Sequence, residues 1–215
     1  DAPGTVFWHP KGWTLFQKLI AYMRRRCDSE GYVEVNSPQL LDRSLWETSG
    51  HWQTYHEHMF VTETEDERVF AIKPMNCPGC MLYYKSHSHS YRELPLRVSE
   101  LGHVHRHEAS GALSGLFRVR SFHQDDAHLF MKPSDIKQEI LKVLELTEKI
   151  YSAFGLPYRL ELSTRPEKSI GTDQDWKIAT EGLKNALDEW GQPYRINEGD
   201  GAFYGPKIDI HIKDA

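Results

Sequence analysis

Two long strand candidates, Leu94–Arg106 and Phe117–Phe130, are separated only by the Gly/Ser-rich loop Glu108–Leu116. A connection this short fits an antiparallel pair, because a parallel pair needs a crossover of a dozen or more residues. The rest of the chain interleaves helices with shorter strands. The pattern therefore predicts an α+β fold, an antiparallel sheet flanked by helices, and not a doubly wound parallel sheet.

Apolar residues at Leu15, Phe16, Leu19, Ile20, Met23 and Cys27 repeat at helical spacing over Lys11–Glu30, and Gly31 stops the run. Tyr32–Val35 reads as a short strand closed by Pro38, and Asp42 as the N-cap of a helix over Arg43–Thr48. Strand-like pieces follow at His58–Thr62 and Arg68–Ile72, then a helix opening at Pro78. A periodic helix runs from Ile136 to Phe154, capped by Ser134 or Asp135 and stopped by Gly155. After a strand at Tyr158–Ser163, a second helix carries Trp176, Leu183, Leu187 and Trp190 and ends at Gly191. Ala202–Lys213, with Ile208, Ile210 and Ile212 alternating against polar residues, is a half-buried strand.

At 215 residues, 39% hydrophobic and 27% charged, the chain can bury a core as one sizeable domain or a core with an insertion, and is not a disordered tail. It has no long apolar stretch, and its first ten residues have neither a basic nor an apolar region of a secretory leader, so an intracellular protein is expected. Three cysteines cannot form a disulfide framework. A net charge of −5 argues against a general nucleic-acid coat and leaves room for a local basic site. The first residue is Asp1 and not Met, which leads us to expect a piece of a longer protein.

In an extended strand alternate side chains share a face, which would place Arg118, Arg120, Phe122, Gln124, Asp126 and His128 together. A solvated sheet face is the plain explanation of such polarity. The order of the groups nevertheless runs from phosphate-like to metal-like chemistry. The same period pairs Arg106 with Glu108 at the end of the neighbouring strand, where an Arg can neutralise a phosphate and a Glu can accept from an exocyclic amine. Cys77, within Lys73-Pro74-Met75-Asn76-Cys77-Pro78-Gly79-Cys80, admits a buried structural thiol, half of a four-Cys zinc site for which no second CxxC exists, or one ligand of a mixed Cys/His site with His128 or His105.

Seven segments in order resemble the class II aminoacyl-tRNA synthetases, and within them the threonyl-tRNA synthetases. They are Leu45–Trp52, Lys73–Gly79, Glu93–Arg97, Arg106–Leu113, Gln124–His128, Leu162–Lys168 and Gly201–Lys207. The resemblance implies a partial class II catalytic core over residues 1–215, with motif 1 at about residues 12–40 forming a homodimer interface and motif 2 at about residues 94–130. Motif 3, a third zinc ligand and the anticodon-binding domain are expected beyond Ala215, and the chain alone is expected to be inactive. The implied activity is threonine–tRNA ligation, in which ATP activates L-threonine to an adenylate that is transferred to the 3′ end of threonine tRNA. By the same likeness Arg106 holds the ATP α-phosphate, Glu108 the adenine amine, Phe122 stacks on adenine and Arg118 assists the phosphates. Mg2+ bridges the phosphates. Cys77 and His128 hold a Zn2+, Asp126 accepts from the threonine hydroxyl, and Met75, Gln124, Tyr204 and Lys207 shape or contact the threonine pocket. Lys207 and Arg106 are counted with the catalytic groups, and His51 is a candidate base near the terminal adenosine. No membrane partner is implied, and the expected location is cytoplasmic, with an organellar matrix left open. Where the family usually has His this chain has Cys80, and where it usually has Asn this chain has His107; neither is expected to be a ligand. A non-catalytic synthetase-like regulator, or an enzyme for serine or proline on the same architecture, stays open at this point.

Overall fold

The computed structural model describes residues 2–213. They fall into two compact units, one ending at Leu129 and one beginning at Phe130.

The first unit opens on helix α1, Pro10–Ser29, with proline in the first turn where its missing N–H is no loss. Gly31, at φ +77°, lets the chain leave the helix into the two-residue strand β1, Val33–Glu34. The Arg24 guanidinium donates twice to Glu34, at 2.8 and 2.9 Å, tying α1 to β1. Next come strand β2 (Leu40–Asp42) and helix α2 (Arg43–Thr48), whose first turn is capped as expected: the Asp42 carboxylate accepts from the Ser44 N–H. Helix α3 spans His51–Tyr55, followed by strands β3 (Phe60–Glu63) and β4 (Val69–Ile72) and helix α4 (Cys77–Lys85). The strand expected from His58 begins two residues later, because His56–His58 forms a 3₁₀ turn first. Strands β2, β4 and β3 make one antiparallel sheet packed on the buried Trp46, Met59 and Ala71.

Strands β5, Leu96–His105, and β6, Ser121–Phe130, form the second sheet with β1 in the order β1-β5-β6. Pairing of β1 with β5 is parallel, so this sheet is mixed. The long pair runs antiparallel: the Arg106 N–H donates to the Arg120 carbonyl, and further in His103 stacks on His123 at 4.3 Å. The start of the second long strand differs from expectation. Phe117–Arg120 is not strand, because Ser114 and Gly115, the latter at φ +48°, turn the chain and the Phe117 and Arg118 N–H groups return to the Ser114 carbonyl.

The second unit holds helix α5 (Ile136–Ala153), strand β7 (Tyr158–Ser163), helix α6 (Asp173–Trp190) and strands β8 (Tyr194–Asn197) and β9 (Lys207–Ile212). Its sheet order is β8-β7-β9, parallel on one side and antiparallel on the other. Leu144, Leu160, Leu162 and Leu187 form its core, and Ile208 and Ile210 pack against it, as the alternation of β9 requires. Helix α6 starts in a reciprocal Thr172–Asp175 capping box and ends on left-handed Gly191. Helix α5 follows Asp135, which makes no side-chain cap bond; the Ser134 hydroxyl donates to it instead.

Candidate active site

Strand β6 supplies the backbone of the site. Phe122, Gln124, Asp126 and His128 alternate along it and are all half-buried, while the intervening His123 and Asp125 are exposed. Burial alternates from Phe122 to Asp126, and beyond it the flanking Ala127 and Leu129 are half-buried as well. Arg118 and Arg120 lie before the strand and reach the same region through Glu108 instead: Arg118 pairs with the Glu108 carboxylate at 3.1 Å and Arg120 Nε donates to the Glu108 carbonyl at 2.8 Å. Glu108 is buried, so a charged partner is what allows it to stay there.

Arg106 stands just past the end of β5, its Nε donating to the Pro74 carbonyl at 3.1 Å and its guanidinium 5.1 Å from the centre of the Phe122 ring. A fixed cation beside an aromatic plate suits a ligand that is planar at one end and anionic at the other.

Cys77 begins α4 where that helix meets β6, and Cys77, Asp126 and His128 bring one ligand atom each to within 4.8 Å of one another. Burial, and then the charge of Asp126, pushes the Cys77 thiol up to about 11. The positive charge of Arg106 pulls the other way without offsetting the burial. The Cys77 sulfur and a His128 ring nitrogen are donors that suit zinc, whose charge would reverse that shift. His105, the other candidate companion of Cys77, lies elsewhere, 4.6 Å from His103 in a row of imidazoles. Cys80 is buried on α4 and its thiol is pushed up to about 12, first by burial.

Behind the strand, Asn76 Nδ2 donates to Asp126 Oδ2 at 3.0 Å and the Ala127 N–H to Oδ1 at 2.8 Å. Deeper still, Lys73 and Glu100 form a buried ion pair at 2.7 Å, with Ser37 donating both its N–H and its hydroxyl to the same carboxylate oxygen. Sequence reasoning gave Lys73, Asn76 and Glu100 no role. A lysine between Ile72 and Pro74 at the end of an apolar strand was the available signal.

Met75 packs on the Trp46 core, and His51 stands edge-on to Trp46 at 6.4 Å with its Nδ1 2.9 Å from the Ser49 hydroxyl. Burial lowers the His51 pKa and favours the neutral ring. Tyr204 and Lys207 belong to the second unit. Tyr204 is largely exposed and packs edge-to-face on Phe203 at 5.0 Å; Lys207 Nζ lies 3.1 Å from Asp209 and 3.3 Å from Asp200. Burial pulls the Lys207 pKa down, but these two carboxylates outweigh it and leave it raised.

The family model described as the tRNA synthetase class II core domain (G, H, P, S and T) matches residues 60–215. The threonine–tRNA ligase of Protochlamydia amoebophila (strain UWE25) is 67% identical over 216 residues, which take in 100% of this chain and 33% of that protein. That of Desulforapulum autotrophicum is 64% identical over 215 residues, 100% of this chain and 34% of that protein. The chain spans about a third of the length of these curated relatives. A crystal structure described as the RNA binding domain of threonyl-tRNA synthetase from Cryptosporidium parvum Iowa II superposes with a TM-score of 0.94 at 46% identity, covering 100% of this chain and 53% of that one. The β5–β6 pair with its alternating face, and a family model that takes in well over half of the chain, lead to one conclusion: the chain belongs to the class II core-domain family of tRNA synthetases.

Proposed function

We propose that the chain is the ATP- and threonine-binding part of a threonine–tRNA ligase, which activates L-threonine as its adenylate and passes it to threonine tRNA. The observation that carries this reading is the convergence of Cys77, Asp126 and His128 on the strand face that also presents Phe122. Identity of 67% to a threonine–tRNA ligase supports it.

Attack of a carboxylate on the α-phosphorus joins two anions, so the protein's task is alignment and charge neutralisation. Arg106 holds the α-phosphate and Phe122 the adenine ring, while Glu108, fixed by Arg118, accepts from the adenine amine. Mg2+ accompanies the ATP phosphates. Cys77 and His128 hold zinc, which when bound supplies a Lewis-acidic position for the threonine amino group and hydroxyl; a further ligand is assigned to a segment beyond this chain. Asp126 accepts a hydrogen bond from the threonine hydroxyl, and valine, lacking that hydroxyl, leaves the remaining lone pairs of this half-buried carboxylate unmatched. Met75 and Gln124 shape the pocket, and Tyr204 and Lys207 are assigned to threonine binding by the family resemblance. His51, kept neutral by burial, is suited to take the proton of the tRNA hydroxyl. The exposed Trp13, Leu15 and Leu19 on α1 support a homodimer interface there. Among the described residues no helix is long and apolar enough to cross a membrane; a cytoplasmic location completes the proposal.

The test is threonine-dependent ATP–pyrophosphate exchange on protein of the relatives' full length carrying this core. Exchange with threonine, weak exchange with serine and almost none with valine is expected. Folded, zinc-loaded protein that shows no exchange with threonine would sink the reading.

A further inference from the structure

Asn76 occupies the N-cap position of α4, where an Asn side chain ordinarily accepts a helix N–H, yet it makes no cap bond. Its side chain is fully buried and turned the other way, with Nδ2 donating to Asp126 Oδ2 at 3.0 Å. A carboxylate only accepts, so the amide orientation is fixed by chemistry: the NH2 must face Asp126. Oδ1 then points inward and has no hydrogen-bond partner among the described residues, a cost the fold carries for this orientation.

What holds the amide there is Gly102 in β5. A Cβ on Gly102 would fall on the Asn76 Oδ1, Cγ and Nδ2 atoms, so only glycine leaves room for the amide against β5. With the Ala127 N–H on Oδ1 and Asn76 on Oδ2, each oxygen of Asp126 is tethered once. The lone pairs that remain are the ones free to meet a hydroxyl beside Cys77 and His128.

We infer that Asn76, seated against Gly102, is a positioning residue that aims Asp126 at the substrate hydroxyl and so sets the preference for a β-hydroxy amino acid over its methyl isostere. The inference rests on the threonine-activating reading of the same site. A cap bond and a satisfied side-chain carbonyl are given up to hold one carboxylate.

Three substitutions test it in full-length protein: Asn76→Leu keeps the volume without a donor, Asn76→Asp keeps the shape and sets a second carboxylate against the first, and Gly102→Ala displaces the amide without touching it chemically. Each is expected to raise the threonine KM in pyrophosphate exchange by about ten- to a hundredfold, the worth of a hydrogen bond to a charged group. The KM for ATP should stay within about twofold, zinc content should be unchanged, and the threonine-over-valine preference should fall by a similar factor. Calorimetric threonine affinity should weaken in parallel. Unchanged threonine KM and preference in a folded variant overturns the inference, as does loss of zinc, which would make Asn76 a metal-retention residue. If no variant folds, judged by loss of ATP binding, Asn76 is structural and the inference is again overturned. Absence of exchange in the unsubstituted protein is a different result: it removes the activity reading itself, and this inference with it.

Discussion

Side chains that touch no substrate do much of the work of setting this site. Lys73 and Glu100 are buried and paired, and the pair draws Ser37 and the backbone before β2 onto β5. Removing one partner strands a charge, whereas replacing both with apolar residues of similar volume removes the problem. Glu100→Leu alone is expected to lower stability by about 3–5 kcal/mol in a urea titration, and Lys73→Met with Glu100→Leu to recover most of it. A single variant within 1 kcal/mol of the parent would mean the ion pair is idle. At this scale the sequence was legible where a residue type has one use and opaque where it has several. Asp126 and His128 stand out in the sequence because polar groups alternate along one strand, and Arg106 and Glu108 because they pair at the end of its neighbour. Asn76 could not, since an Asn before a helix ordinarily caps it and only the fold reveals that it faces Asp126.

Among the elements, those with a strong internal period and defined ends were readable. Strand β7 and helix α2 fall where the alternation and the Asp42 cap place them, and α6 ends where Gly191 says it must. Strand β8 was missed because it is a four-residue edge strand with a single central apolar residue, Ile196, and gains its place from parallel pairing with β7. The parallel partnership of β1 with β5 was hidden for the same reason: two residues carry no period. Helix α6 gives a direct check on local signals. Thr172→Ala removes the hydroxyl that accepts the Asp175 N–H and is expected to cost about 1 kcal/mol, read as a lower Tm, with Thr172→Ser nearly neutral. Equal Tm for Ala and Thr would show that packing on Leu144 and Leu160 alone holds the helix.

Over the whole chain, response to acid follows from imidazoles whose charged form the fold disfavours. His51, His103, His105 and His123 all have pKa values lowered from 6.5, burial being the first cause in each. Their unfolded forms take up protons below that pH while the folded forms resist, so stability is lost as pH falls from 7 toward 5. The Asp125 carboxyl, raised mainly by partial loss of solvent although the residue keeps an exposed edge, works in the opposite sense, from the carboxylate end of the scale. Thermal melts at pH 7 and 5.5 should show the lower Tm at 5.5; an equal or higher value contradicts this balance.

The alternation of β6 has an evolutionary corollary. Phe122, Gln124, Asp126 and His128 are defined jointly by parity: one residue inserted before Phe122 would turn His123, Asp125, Ala127 and Leu129 inward and retire all four at once. Substitution can tune this strand one position at a time, but a change of length cannot be made by halves. The count of residues between Phe122 and His128 is therefore as much a part of the site as the residues themselves.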